Sequence, residues 1–196
     1  MPPRPRGRPR DPAIDDALLT ATRRLLVEVG YAGLSMEAIA ARAGVSKPTL
    51  YLRYPSKGAL VADAVFGKTK AVELPDTGSL LADLREAYGW AVAEFAAPEA
   101  RAALPAMLAE MSSSPELARL VRTRVIEPEY LRVHGLLERA RRRGQIRADA
   151  DLDVAIDAFI GAALARATIL DHPLDENLAL GLVDLLVQGL APRGGA

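Results

Sequence analysis

One stretch of 23 residues constrains the fold of this chain more than any other part of it. It runs from residue 35 to residue 57 and reads SMEAIAARAGVSKPTLYLRYPSK. Ser35 can cap a first helix, and Gly44 suits the left-handed position that ends it. Ser46 can cap a second helix, with Pro48 in its first turn, where a missing N–H costs nothing. Two short helices joined by a short turn that contains Gly form a helix-turn-helix.

The outer face of the second helix suits a DNA groove. Its pattern hides Leu50 and exposes polar, cationic and aromatic side chains: Lys47, Thr49, Tyr51 and Arg53. In helix-turn-helix proteins the second helix lies in the major groove, and the residues near its N-terminus contact base edges. We therefore predict that this helix binds DNA.

The same residues resemble the signature of the tetracycline-repressor (TetR) family of bacterial regulators. The family pattern has an I-A-x-x-A-G-V-S core, then T-L-Y, an aromatic residue and S-K. The stretch IAARAGVSKPTLYLRYPSK contains every part of it, with Tyr54 as the aromatic residue. The resemblance is specific over residues 12–70. Beyond residue 71 it rests on helical pattern, on a P-D-T-G-S connector at 75–79 and on an R-A-x-x-R-G stretch at 139–144.

The resemblance implies a dimer on a palindromic DNA operator, with one recognition helix in each major-groove half-site. Three side chains would lie near base edges: Lys47, Pro48 and Tyr51. Four others would lie on or near phosphates: Ser35, Thr49, Tyr54 and Lys57. Arg53 takes a position often held by a phosphate-contacting His. Ser46, the cap of the second helix, completes the candidate DNA-binding set of this unit.

Composition limits the class of protein. Half of the 196 residues are hydrophobic, which is enough for one large domain or two small ones. The absence of Cys excludes disulfides and thiolate metal sites. The start of the chain lacks the apolar region of a signal peptide, and no apolar run approaches the length needed to span a bilayer. We expect a soluble cytoplasmic protein with no cofactor and no membrane partner.

Charge is unevenly distributed along the chain. Residues 1–70 hold 12 Lys and Arg against 6 Asp and Glu, whereas residues 71–196 hold 13 against 19. A basic N-terminal part suits a protein whose N-terminal end meets phosphate, although random surface charge produces the same division.

The first residues form an Arg/Pro-rich tail, which we predict to be disordered over residues 1–11. Its PRPRGRPR segment resembles an AT-hook, whose R-G-R-P centre lies in the minor groove of A·T-rich DNA. Arg6 and Arg8 are the candidate groove contacts, because a narrow A·T minor groove attracts arginine. The alternative is a solvated basic leader that only raises non-specific affinity.

Hydrophobic periodicity predicts an all-α fold of about nine helices. A three-helix DNA-binding domain would occupy residues 12–70, with its first helix ending before Gly30 and a last helix from Ser56 to about Lys70. An effector-binding and dimerisation domain would occupy residues 71–196. Its helices are expected at 79–96, 99–112, 115–143, 151–170 and 175–190. Pro105 should kink its helix or delay its start, and Pro128 should interrupt the helix around it.

Arginines crowd the end of the helix at 115–143. The run of Arg139, Arg141, Arg142 and Arg143 precedes Gly144. Cations in a last helical turn followed by Gly are a C-terminal signal. The alternative is a second nucleic-acid patch.

The last two helices have wide apolar faces rich in Ala and Gly. Each face is too wide to be covered by one neighbour, so a second partner is expected. By the resemblance, that partner is the same helix pair of another subunit, which predicts a homodimer through residues 151–190. The alternative is a helix pair that is fully internal to one chain.

Aromatic and Met residues recur on consecutive helices of the C-terminal part. They either line a pocket for a small apolar effector or form ordinary core. The candidate lining residues are Tyr88, Trp90, Phe95, Met107, Met111, Tyr130, His134 and Phe159.

The sequence contains no catalytic motif. It has no Gly-rich phosphate loop, no nucleophile elbow and no metal-ligand spacing, and its two histidines, His134 and His172, fit structural or solvated roles. We therefore predict a ligand-responsive repressor rather than an enzyme. The alternatives are an all-helical enzyme and an effector-independent architectural DNA-binding protein. The 126 residues after residue 70 argue against the latter, because dimerisation alone does not need so many.

Overall fold

A computed structural model of the chain describes residues 11–67, 73–170 and 172–192. The tail with Arg6 and Arg8 therefore lies outside the described residues. In chain order the helices are α1 (Pro12–Gly33), α2 (Met36–Ala43), α3 (Lys47–Arg53), α4 (Lys57–Phe66), α5 (Leu80–Ala96), α6 (Pro98–Ser113), α7 (Pro115–Val121), a π-helical segment (Arg122–Ile126), α8 (Glu127–Arg142), α9 (Leu152–Thr168) and α10 (Glu176–Leu190).

The expected all-α fold is confirmed, since the described residues form helices and no strand. Backbone angles stay helical at both ends of the π segment, so α7, this segment and α8 form one continuous rod. If this rod is counted as one helix, the described part of the chain has nine helices, which matches the expected number. None of its helices is long and apolar enough to cross a membrane.

Local capping signals explain the helix-turn-helix. Ser35 Oγ accepts the N–H of Ala38 at 3.1 Å, and Ser46 Oγ accepts the N–H of Thr49 at 3.4 Å. Gly44 ends α2 in the left-handed conformation with φ of 66°, which few other residues adopt without strain. Both caps and the turn were predicted from the sequence.

The boundaries of α1 and α4 show where the prediction was accurate and where it was not. Gly30 has φ of 67° and ψ of 176°, so regular helix stops after Val29 as expected. The predicted helix to Lys70 was too long, because α4 ends at Phe66. Residues 68–72 lie outside the described residues.

The helices pack into two apolar cores, and the sequence alone does not show which helices share a core. The first core contains buried residues of α1 to α4 together with Ala103 and Met107 of α6 and Leu117 of α7. The second core joins α5, α8, α9 and α10. The first core includes a close contact at Gly58 of α4, where a Cβ atom would lie 2.6 Å from Leu117 Cδ1. Helices α6 and α7 are therefore packed directly on the helix-turn-helix unit.

Prolines shape α6 and α8 differently. Helix α6 begins at Pro98 and runs through Pro105, so the expected alternative of a delayed start is wrong. The interruption expected near Pro128 takes the form of the π segment, which changes the hydrogen bonding and leaves the helix continuous. Pro128 cannot donate to the carbonyl of Arg124, and the backbone widens into the π segment just before it, where the N–H of Glu127 donates to the carbonyl of Arg122.

The arginine run at the end of α8 binds the connector that precedes α5. Arg143 Nη1 donates to Asp76 at 2.7 Å, and Arg143 Nη2 donates to Asp83 at 3.3 Å. Asp83 is only 1% exposed and also accepts the backbone N–H and the hydroxyl of Thr77, at 2.8 and 2.7 Å. Arg139 Nη2 reaches the carbonyl of Pro75 at 3.4 Å. These contacts favour the C-terminal interpretation of the arginine run over a second nucleic-acid patch.

Candidate nucleic-acid interface and internal cavity

Helix α3 exposes the ammonium group of Lys47 and the ring of Tyr51 to solvent. Leu50 is fully buried, while Tyr51 is 48% exposed. Lys47 Nζ lies 3.1 Å from Glu37 Oε1, and both side chains are more than half exposed. The pKa of Glu37 lies below its ordinary value because its carboxylate accepts a backbone N–H and, secondly, a hydrogen bond from Lys47. An exposed ion pair contributes little, so Lys47 can exchange this partner for a base edge.

An apolar strip beside Lys47 includes a residue that the sequence analysis missed. Leu52 is 81% exposed. Pro48, Tyr51 and Leu52 are spaced at i, i+3 and i+4, so they share one face of α3. This spacing was the available signal. An exposed apolar strip on a helix of this kind suits contact with thymine methyl groups in the major groove.

Three hydroxyl residues stand near the starts of α2 and α3. Ser35 and Ser46 are exposed and act as the caps described above. Ser46 Oγ and Thr49 Oγ1 also lie 2.8 Å apart, in a hydrogen bond that either can donate. Their contact with phosphate stays a prediction.

The side chains of Arg53 and Tyr54 are mostly buried against neighbouring helices. Arg53 has a side chain only 9% exposed, and its Nη1 lies 2.6 Å from Asp15 Oδ2 of α1. Tyr54 is 6% exposed and packs in the first core. Its burial, followed by the nearby charge of Asp63, raises its pKa to about 12. Both side chains therefore fix α3 to its neighbours, and the phosphate contacts expected of them stay predictions.

Lys57 fastens the start of α4 to the end of α1. Its Nζ donates to the carbonyl of Tyr31 at 3.1 Å and lies 4.2 Å from the centroid of the Tyr31 ring. An ammonium group has three donors, so a phosphate contact remains compatible with this position.

Tyr31 continues this connection into α6. Its hydroxyl donates to Glu110 Oε2. The pKa of Tyr31 is raised above its ordinary value, first by burial and then by the carboxylate of Glu110. One chain of contacts thus joins α4, α1 and α6.

The C-terminal part contains a cavity of about 200 Å³. Its walls come from helices α4 to α9, from the π segment and from Leu74 of the connector before α5. Seven of the eight residues predicted to line a pocket surround it: Tyr88, Trp90, Phe95, Met107, Met111, Tyr130 and Phe159. The structure does not place His134 among them. His134 Nε2 lies 3.8 Å from Asp153 Oδ1, and its side chain is 36% exposed.

A stacked aromatic pair forms one wall of this cavity. The rings of Tyr88 and Phe159 have centroids 3.8 Å apart at an interplanar angle of 16°. Tyr88 is 2% exposed, its hydroxyl has no hydrogen-bond partner in the described structure, and burial raises its pKa above the ordinary value. An unpaired buried hydroxyl is rare, because leaving one without a partner costs free energy.

Three ionisable residues also line the cavity, and the sequence analysis missed them. They are Glu94, Glu129 and Arg132. Arg132 Nη1 donates to Glu129 Oε2 at 2.6 Å. Charged residues on a helix normally indicate a solvated face, so no sequence signal separated these from other surface charges.

The last two helices leave apolar groups uncovered within the chain. Val154 of α9 is 61% exposed and Leu185 of α10 is 68% exposed. A Cβ atom placed on Gly161, Gly181 or Gly189 would meet no atom within 4 Å, so the backbone is accessible there. Leu182, by contrast, is partly buried against the second core.

Comparison with known proteins gives consistent matches along most of the chain. Residues 18–64 match the family model described as "Bacterial regulatory proteins, tetR family", and residues 74–186 match "Tetracyclin repressor-like, C-terminal domain". The HTH-type transcriptional regulator YdeS of Bacillus subtilis (strain 168) is 31% identical over 179 residues, covering 91% of this chain and 90% of its own.

Two further proteins extend this likeness. The DNA-binding transcriptional repressor TetR of Mycobacteroides abscessus is 29% identical over 170 residues, covering 86% of this chain and 88% of its own. The crystal structure of the TetR family transcription regulator SCO0332 superposes with a TM-score of 0.75 at 33% identity, covering 91% of this chain and 99% of that one. All of these proteins are similar to the chain over nearly its whole length.

Proposed function

The chain belongs to the TetR family of helix-turn-helix transcriptional regulators, which are not enzymes, and from this premise we propose that it is a repressor. It binds a palindromic operator as a homodimer and leaves it when a small apolar effector enters the cavity. The observation that supports this proposal is the connection between the cavity and the DNA-binding helices. Helices that line the cavity are bonded to the helices that hold α3.

On DNA, α3 enters the major groove with Lys47 and the apolar strip toward the bases. Lys47 donates to guanine O6 or N7, and the strip contacts thymine methyl groups. The hydroxyls of Ser35 and Thr49 and the ammonium of Lys57 orient the unit on phosphates. Arg53 supports this surface from behind, through its ion pair with Asp15.

Dimerisation uses the uncovered face of α9 and α10. Exposed Val154 and Leu185 together with accessible glycine backbone offer close apolar packing, which a two-fold axis would pair with the same face of a second copy. Two copies then place two α3 helices on successive major-groove half-sites, about 34–36 Å apart.

Two contacts carry effector occupancy to the DNA-binding helices. Helix α6 lines the cavity with Met107 and Met111, and Glu110 between them accepts the hydroxyl of Tyr31 on α1. The π segment lines the cavity with Val125, and Arg124 beside it lies 3.7 Å from Asp63 of α4. A ligand that binds the cavity more tightly after these elements have shifted favours the shifted conformation. In that conformation the two helix-turn-helix units of the dimer no longer have the spacing of the operator half-sites.

Operator binding is tested by footprinting the purified protein on the DNA immediately upstream of its own gene. The expected result is a protected region with two-fold symmetry and half-sites one helical turn, or a multiple of it, apart. Protection that is uniform, or as strong on random DNA of the same length, would contradict a palindromic operator.

Effector coupling is tested separately with Tyr31→Phe, which removes only the hydroxyl that bonds Glu110. A compound is first selected because it quenches the fluorescence of Trp90, the single Trp of the chain, and weakens operator binding. The variant should retain the quenching and lose part of the release. Unchanged release would exclude this route.

A further inference from the structure

We propose that Glu37 of α2 is a specificity-determining residue, and that it recognises one base pair of the operator together with Lys47 of α3. Glu37 accepts the free amino proton of a cytosine, while Lys47 donates to the guanine that is paired with it. The inference rests on the proposed function for the entry of α3 into the major groove. It adds a carboxylate to a DNA-binding surface otherwise made of cations, hydroxyls and apolar groups.

The carboxylate of Glu37 accompanies the ammonium group that is proposed to contact the bases. Lys47 is the first residue of α3, and its Nζ lies 3.1 Å from Glu37 Oε1. Both side chains are more than half exposed, so neither is held inside the protein. Residues near the N-terminus of a recognition helix contact base edges. An ammonium group placed at such an edge therefore brings Glu37 to the same edge.

Lys47 can give up this ion pair on DNA, but it does not have to. An ammonium group has three donors, and Glu37 occupies one of them. A carboxylate has about four acceptor sites, of which Glu37 uses one for a backbone N–H and one for Lys47. As far as the described residues extend, the pair can thus enter the groove intact and still offer donors and acceptors to the bases.

A G·C base pair presents matching groups in the major groove. Guanine offers O6 and N7 as acceptors, and cytosine offers its N4 amino group as a donor. O6 and N4 are joined by a base-pairing hydrogen bond of ordinary length, about 2.9 Å, and each keeps one site for the groove. The 3.1 Å between Lys47 Nζ and Glu37 Oε1 nearly equals this spacing, so the two side chains and the two bases can close a ring of hydrogen bonds.

The ring forms with one orientation of the base pair. If the pair is reversed, Lys47 meets the amino group of cytosine and Glu37 meets O6 of guanine, so both contacts become repulsive. Thymine in place of cytosine also opposes Glu37 with an acceptor. Adenine in place of cytosine keeps an amino donor but adds its N7 acceptor beside the carboxylate. The expected order of preference at this position is C·G, then A·T, then the two pairs that place an acceptor against Glu37.

The carboxylate should also weaken binding to all other sequences, because it brings a negative charge close to the phosphates. Loss of Glu37 is therefore expected to have two opposite effects. Affinity for random DNA should rise, and preference for one base pair should fall. Specificity of this kind comes from rejection of the wrong partner as well as from attraction to the right one.

The test begins with selection of binding sites for the wild-type protein from a pool of random duplexes. Each base pair of the selected half-site is then replaced by the other three, and dissociation constants are measured by fluorescence anisotropy at one fixed salt concentration. At one position the wild type should prefer C·G over the reversed pair by about 30-fold or more, since both contacts are reversed. Glu37→Ala should reduce this preference by about fivefold or more at that position alone, and should bind random DNA more tightly.

Glu37→Gln separates base recognition from positioning of Lys47. The amide oxygen of Gln can still accept a proton from Lys47, so a residue that only positions Lys47 would leave C·G preferred. Gln pairs well with N6 and N7 of adenine, so base recognition should shift the preference at this position toward A·T. Lys47→Ala should relax preference at the same position, and the double variant with Glu37→Ala should lose less than the sum of the single losses.

Glu28→Gln is the matched control. Glu28 forms another exposed ion pair of the same helix-turn-helix unit, and both of its oxygens are bonded by Arg42 at 2.8 Å. The control removes the same charge and should leave base preference unchanged at every position. Circular dichroism should show wild-type helix content in all variants, because exposed ion pairs contribute little to stability.

Several results would overturn the inference. These are absence of a C·G preference in the wild type, an unchanged preference in Glu37→Ala, no gain for A·T in Glu37→Gln, effects of Glu37 and Lys47 at different positions, or loss of helix content in the Glu37 variants. Specific binding that does not depend on Glu37 would contradict this inference alone. If the selection yields no preferred sequence at all, the proposed function fails, and this inference fails with it.

Discussion

The proposed dimer can be disrupted at one exposed residue, Leu185. Both Leu182 and Leu185 lie on the apolar helix α10, but Leu182 is partly buried against the second core, so replacing it would also damage the fold of one chain. Leu185 is 68% exposed and is free of that role. Leu185→Glu should therefore weaken dimerisation and leave the fold of the single subunit intact. A surface substitution of this kind lowers the free energy of unfolding by about 0.5 kcal/mol or less.

The magnitude follows from the exposed fraction. Full burial of a Leu side chain is worth about 1.5–3 kcal/mol, so burying the exposed 68% of Leu185 is worth about 1–2 kcal/mol per copy. A two-fold interface contains two copies, which gives about 2–4 kcal/mol. At 1.4 kcal/mol per factor of ten, the dimer dissociation constant rises roughly 30- to 1,000-fold from this loss alone. An unpaired carboxylate at the interface adds several kcal/mol to that penalty.

Sedimentation velocity at micromolar concentrations measures the change, with circular dichroism to verify that helix content is retained. Leu131→Glu is the matched control, because Leu131 is 71% exposed on α8 and lies outside the proposed interface. The wild type and the control should be dimers, and Leu185→Glu should be a monomer. A folded wild type that is already monomeric, or a variant that dimerises as tightly as the wild type, would refute the reasoning.

Three further predictions follow from other contacts. Asp83→Ala should lower the free energy of unfolding in urea by about 1.5–3 kcal/mol, because it removes a buried acceptor that Arg143 and Thr77 share, whereas Asp76→Ala at an exposed position should cost under about 1 kcal/mol; equal losses would show that burial is not decisive. Leu52→Ala should weaken operator binding, and replacing contacted thymines with deoxyuridine should then cost nothing further; additive losses would exclude methyl contact by Leu52. Lys47→Ala should relax preference at one base pair by about 1–3 kcal/mol, while Lys57→Ala should weaken all binding and reduce the salt slope by about one, as titrations on specific and random DNA would show; identical profiles would contradict these roles.

Much of the helix-turn-helix could be predicted because its signals act over a few residues. A serine cap bonds an N–H three positions ahead, and the left-handed position of Gly44 is needed one residue after a helix ends. The same holds for the exposed face of α3, which follows from spacing along one helix. Seven of the eight residues predicted to line a pocket also surround the cavity, since apolar residues at helical spacing point inward whether they line a cavity or fill a core.

Contacts between residues far apart in the sequence determined the roles of several arginines that the sequence pattern left undecided. Arg53 is of a residue type that often contacts phosphate, but in the folded chain its mostly buried guanidinium forms an ion pair with Asp15, 38 positions earlier. The arginine run at the end of α8 resembles a nucleic-acid patch in composition, but two of its members, Arg139 and Arg143, bind the connector before α5. In both cases a charged side chain has several possible partners, and only proximity in space selects one.

The sequence by itself determined the all-α fold and the helix-turn-helix, because these depend on local caps, turns and periodicity. The resemblance to the TetR family rests on the residues of that motif. Only the tertiary structure decided that α6 and α7 share a core with the DNA-binding helices and that the rings of Tyr88 and Phe159 stack beside the cavity. Packing between helices depends on which faces meet, and the pattern along one helix cannot specify which neighbour, or which empty space, lies opposite each side chain.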